Sequence, residues 1–226
     1  MTDVGAKVLG VYCERGLDPS FWAEPVNAVS NLGFIVAGVV ALARFRGDRA
    51  VTLLAVVTLA IGIGSFLFHS FATRWALIAD VAPIQAFIAI YFYLAMSRFL
   101  GMPAWGALAA TLAFMGAASA LPAILPPAEP WRGLGGYLGG FLGLVGVGGL
   151  LLARSGPSAA TGRAILGVAA LFLVSLTFRT LDRFVCEGLP TGTHAAWHLL
   201  NALVLFTLMA ILGRTPPRIR PNPDVG

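Results

Sequence analysis

Seven mostly apolar stretches, each close to the ~20 residues a helix needs to cross a bilayer, take up most of this chain. They cover residues 27–43, 51–71, 76–97, 104–125, 134–153, 164–181 and 194–212. Backbone N–H and C=O groups find no water in lipid, so such spans fold as helices that close their hydrogen bonds internally. The expected fold class is an all-α integral membrane protein, a seven-transmembrane helix bundle. The charge content agrees: 11% of the residues are charged and 58% hydrophobic, against about a quarter charged in soluble domains. The net charge of +5 does not point to nucleic acid, because the basic residues are scattered along the inter-helix loops.

The short loops leave no room for a soluble domain. Residues 1–213 read as one bundle domain, with 1–26 as a polar outer segment and 214–226 as a basic, proline-rich cytoplasmic tail. The first twenty residues lack a continuous apolar core, which argues against a secretory signal peptide. Arg44, Arg46, Arg49, Arg98, Arg154, Arg163, Arg214, Arg218 and Arg220 fall on one side of the bundle. Lys7, Arg15, Arg74, Arg132 and Arg183 fall on the other. Positive charge gathers on the cytoplasmic side, so the N-terminus is expected outside and the C-terminus inside. The alanine-, glycine- and arginine-rich usage suggests a bacterial inner membrane. Cys13 and Cys186 both fall on the outer side, where two cysteines are either a disulfide or a pair of free thiols.

The chain has three histidines. His194 and His198 open the seventh span four residues apart, which stacks their imidazoles on one helix face. His69 ends the second span at the same expected depth. A histidine at a helix end commonly makes a single interfacial hydrogen bond, but three at one depth point to a metal. Three neutral imidazoles with an open position form the usual catalytic zinc arrangement, in which the metal lowers the pKa of a bound water to about 7. Asp80, a carboxylate within the third span, marks a functional site because burying it in lipid is costly; its candidate roles are fourth ligand, partner to a ligand, or general base. Ser65 lies one turn before His69, placed to hold a water or donate to an oxyanion. Glu14, Asp18, Glu24 and Asn27 offer hard oxygen donors for calcium at the outer entrance, or simply a solvated acidic loop. Arg179 and Asp182 are spaced for an ion pair.

Read together, these motifs resemble the alkaline ceramidase family, within the seven-helix membrane hydrolases that include the adiponectin-receptor-like proteins. The matching blocks are Cys13-Glu14 with Ala23-Glu24, Asn27, Ser30 and Asn31; Gly64-Ser65 to Phe68-His69; Asp80 with Pro83; and Asp182-Arg183 with Cys186 and His194-Ala195-Ala196-Trp197-His198. The resemblance implies an amidase that cleaves ceramide-like membrane lipids to a sphingoid base and a fatty acid. It implies zinc on His69, His194 and His198, Asp80 as general base, Ser65 as its assistant, and a Cys13–Cys186 disulfide. It also maps a calcium site onto Glu14 and Glu24, with a backbone oxygen from Tyr12. Val11 and Gly16 stand where the family pattern favours an acidic residue and an amide, so two oxygen ligands are missing unless Asp18 compensates. Val81 replaces the acidic residue that often follows the family's aspartate. Two other classes compete with the hydrolase: a receptor or sensor with a closed structural metal, and a proton or ion conductor with no metal.

Overall fold

In the computed structural model the described residues are 3–125 and 131–215, apart from the side chains of 131–133. Among the described residues, eight α-helices make seven spans long and apolar enough to cross a membrane. Helices α1 (Pro25–Ser30) and α2 (Leu32–Arg44) share the first, and α3 (Arg49–Phe71) is the second. The third is α4 (Arg74–Leu94) continued by a π-helical turn, Ala95–Phe99. Then come α5 (Ala104–Ile124), α6 (Trp131–Leu152), α7 (Pro157–Leu181) and α8 (His194–Arg214). The seven-helix expectation holds. The pair Pro126-Pro127, which follows the fourth span expected over 104–125, and the tail beyond Thr215 lie outside the described residues.

One boundary moves. The sixth span, expected from residue 164, starts at Pro157. Gly156 turns the chain at φ +70° and Pro157 takes the first helical position, where its missing N–H costs nothing. The helix therefore runs through the polar Thr161-Gly162-Arg163 that had looked like loop. Large apolar side chains such as Val36, Leu53, Leu112 and Leu199 are exposed on the bundle's outside, as suits a lipid-facing surface.

Helices α3 and α4 pack most tightly where α3 carries Gly64. A Cβ there would collide with the Ala79 carbonyl and approach the Asp80 nitrogen at 3.1 Å. Pro83, four residues beyond Ala79, has no N–H to give that carbonyl, so glycine's bare Cα lies against a carbonyl that its own helix leaves unpaired. The N-terminal segment crosses the turn joining the two helices. Val8 N–H donates to Ala72 O at 2.7 Å, Arg74 N–H to Ala6 O at 3.0 Å, and Trp22 N–H to Ser70 O at 3.2 Å.

At the far end of α3, Asp48 caps the helix through Ala50 and Val51 N–H, at 3.0 and 3.2 Å. It also pairs with Arg98 at 2.7 Å, and Arg98 donates to the Leu212 carbonyl at 3.0 Å. One latch thus joins three spans. Burial alone would raise the Asp48 carboxyl, but Arg98 and the backbone donors hold it below its ordinary 3.8. The ionised form therefore stabilises the fold above that pH, and the benefit is lost as pH falls through the depressed folded value. Asp48→Asn should cost about 1–2 kcal/mol at neutral pH. Melting curves in detergent should also show the wild type losing its advantage over the variant below about pH 4; parallel curves would contradict this.

Candidate metal centre

Helix α8 begins at His194 because a remote carboxylate stops its N-terminus from being bare. Asp182, fully buried after α7, accepts the N–H groups of Thr193 at 2.7 Å and His194 at 2.9 Å on one oxygen. Its other oxygen accepts Cys13 N–H at 2.9 Å. The close approach needs Gly192, which sits at φ +65° and whose Cβ would strike that carboxylate. Cys13 and Cys186 form a disulfide with Cα atoms 5.2 Å apart. Arg179 lies 4.6 Å over the Tyr137 ring, and Asp182 holds the helix start.

The first turns of α8 meet the last turn of α3, and three imidazoles converge. His69, His194 and His198 are at most 1% exposed. One ring nitrogen from each lies within 4.8 Å of the others. The remaining nitrogens of two rings are committed. His69 Nδ1 lies 2.5 Å from Glu24 Oε2. His198 Nδ1 lies 2.7 Å from Ser30 Oγ, whose own hydroxyl donates to Asn27 O at 2.7 Å. Since Ser30 spends its proton on a carbonyl, it accepts from His198, which puts that ring's hydrogen on Nδ1. His69 Nε2, His198 Nε2 and His194 Nδ1 are buried without a partner. Three orphaned nitrogens at one point are what a metal would satisfy, and a carboxylate or hydroxyl behind a ligating imidazole is the usual support. Burial would raise the Glu24 carboxyl, but hydrogen bonds from His69, Arg15 and Asn27 keep it below its ordinary 4.5.

Asp80 is buried at 8% exposure on α4, in the electrostatic field of His69 and Arg179. Ser65 faces it across the Gly64 contact, its hydroxyl buried and making no closed hydrogen bond. Tyr12 stacks on the His194 ring with centroids 3.6 Å apart. Among the described residues the three histidines are the group gathered as metal donors. The structure does not assemble Glu14, Asp18 and Glu24 in that way. Glu14 caps α1 through Val26 and Asn27 N–H at 2.7 and 2.8 Å. Asp18 accepts Ser20 N–H at 2.8 Å within its own turn. Glu24 is held between His69 and Arg15.

Sequence reasoning missed the bonding of Arg15, the stacking of the Tyr12 ring on His194 and the capping role of Asp182. A lone arginine or aspartate in a polar segment gives no spacing signal, because its partners are distant in sequence. It also missed a cavity, lined almost wholly by apolar side chains, that starts one turn inward from the site. Ile61 is a turn before Ser65, Ile84 a turn after Asp80, and Asn201 just under a turn after His198; all three line it.

The sequence profile described as Ceramidase matches residues 12–215, nearly the whole chain. Comparison with curated proteins finds no match. The arrangement predicts that Ser30→Ala, which removes the support behind His198, weakens affinity for a divalent first-row metal by about tenfold. Competition against a chelating dye measures this, and unchanged affinity would count against the metal centre.

Proposed function

This chain belongs to the ceramidase family, whose function is in general the hydrolysis of ceramide, and on that premise we propose a zinc-dependent amidase working inside the membrane. It is a multi-pass membrane protein of an amide-hydrolase family, its substrate a lipid, with three histidines able to hold a metal. The reading is carried by the three unpartnered imidazole nitrogens beside Asp80, at the head of an apolar cavity. Three nitrogens with the fourth position open is the catalytic zinc pattern. Asp80 stands outside the donor group, which favours a hydrolase over a closed, structural metal.

Zinc would polarise the amide carbonyl and make a water more acidic. The rest belongs to the chain. His69, His194 and His198 present neutral nitrogens, two of them oriented by Glu24 and Ser30. Asp80 accepts a proton from the attacking water as oxygen bonds to the carbonyl carbon. Ser65 donates to the oxygen that gains charge. When the C–N bond breaks, Asp80 returns the proton to the amine nitrogen, releasing a fatty acid and a sphingoid base. We place this site in the outer half of the membrane and the C-terminus in the cytoplasm, on the distribution of arginines among the loops. Residues 1–213 act as one domain.

The cavity receives the acyl chain. From Ile84 to Ala95 its lining spans about 16 Å of the third span. An extended chain advances ~1.2 Å per bond, so the slot suits roughly a dozen carbons before it ends or bends. Gly140 lines it with the Ile88 side chain 3.5 Å from where a Cβ would sit. Gly140→Leu should therefore lower release from long-chain ceramides at least about tenfold relative to short-chain ones, each buried methylene being worth about 0.8 kcal/mol. For the mechanism, fatty-acid release from ceramides and other N-acyl lipids should fall by 10²–10⁴-fold in Asp80→Asn, roughly the value of a general base, with zinc retained. Zinc bound but no release from any lipid by the wild type would overturn the amidase reading.

A further inference from the structure

We propose that the Arg15 guanidinium serves as a built-in cation that organises the N-terminal segment and positions His69, so that this protein needs no calcium. The resemblance read from the sequence implies calcium in this segment, but the residues present do not fit it. Calcium takes six to eight oxygens, and here an oxygen-rich centre is already filled by a side chain. Arg15 is 5% exposed. Its Nε donates to Glu24 Oε1 at 2.6 Å. Nη1 donates to the carbonyls of Asp18 at 3.1 Å and Ser20 at 2.7 Å. Nη2 donates to those of His69 at 2.8 Å and Ser70 at 3.3 Å. A guanidinium has five N–H donors, and five oxygens receive them. The acidic side chains are spent elsewhere: both Glu14 oxygens cap α1, and Asp18 closes its own turn.

The position of this cation matters as much as its bonds. The His69 and Ser70 carbonyls belong to the last turn of α3, where carbonyls lack intrahelical donors and the helix dipole favours positive charge. Glu24 joins Arg15 to His69 Nδ1. One guanidinium therefore fixes the histidine from both ends, by its backbone carbonyl and, through Glu24, by its ring. Arg15 is a positioning residue; it does not touch the reacting atoms. Unlike a metal ion, it cannot dissociate or be chelated. The positioning half of the proposal rests on the zinc site proposed above, and the calcium half does not.

The test uses full-length protein purified in detergent without added calcium. Elemental analysis should find no stoichiometric calcium, and millimolar calcium chloride should leave the melting temperature unchanged. Stoichiometric calcium, or a saturable rise in melting temperature, would overturn the proposal. Arg15→Lys keeps the charge but has a single donor group, and Arg15→Gln removes the charge. Both should raise the zinc dissociation constant by at least about tenfold, and adding Glu24→Gln to either should cost little more, since the two residues act as one unit. Wild-type zinc affinity in Arg15→Lys would overturn the positioning role. These readouts involve no lipid, so a failure to hydrolyse ceramide would leave them standing, and their failure would leave the amidase reading standing.

Discussion

A polar group buried in a membrane bundle must find its partner inside the protein, and the architecture of this chain follows from that demand. Six of the buried polar residues, Arg15, Glu24, Asn27, His69, Asp182 and His194, are 2% exposed or less apart from Arg15 at 5%. They are gathered at one end, where the N-terminal segment closes over the helices. Lipid offers none of them a hydrogen bond, and leaving one unmet costs several kcal/mol. The network is accordingly dense: Glu24 serves Arg15, His69 and Asn27, and Asp182 serves three backbone amides. The atoms left unserved are therefore informative. Three of them are the imidazole nitrogens that could together hold a metal.

The helix bundle was legible because hydropathy alone distinguishes a span from a loop, and the histidine cluster because rarity and i, i+4 spacing both single it out. Asp80 stood out for the same kind of reason, a charge where charge is expensive. The N-terminal segment was not legible in this way. Its acidic residues looked like cation ligands by composition, yet each is paired with a backbone amide or a cation. What decides between those fates is where Arg15 points, and no periodicity encodes that. Ser30 shows the same limit: its hydroxyl supports His198 across 168 positions, a relation that spacing cannot reveal.

The sixth span shows a more local failure. Thr161, Gly162 and Arg163 read as loop by polarity, but the helix runs through them because Gly162 packs against backbone. A Cβ there would come within 2.5 Å of Leu152 N and 2.7 Å of Gly148 O. Close helix contact through small residues is a packing effect between segments, and it overrode the composition of the segment itself.

Asp182 and the disulfide give the site a temporal property. Cys13, near the start of the chain, is bonded to Cys186 across 173 positions, and its backbone amide shares a carboxylate with the amide of His194. Two of the three imidazoles belong to the seventh described span. The six spans that leave the ribosome before it carry one histidine, His69. The three donors therefore coexist only once α8 has joined the spans made before it, so any metal chemistry at this site waits on the seventh span.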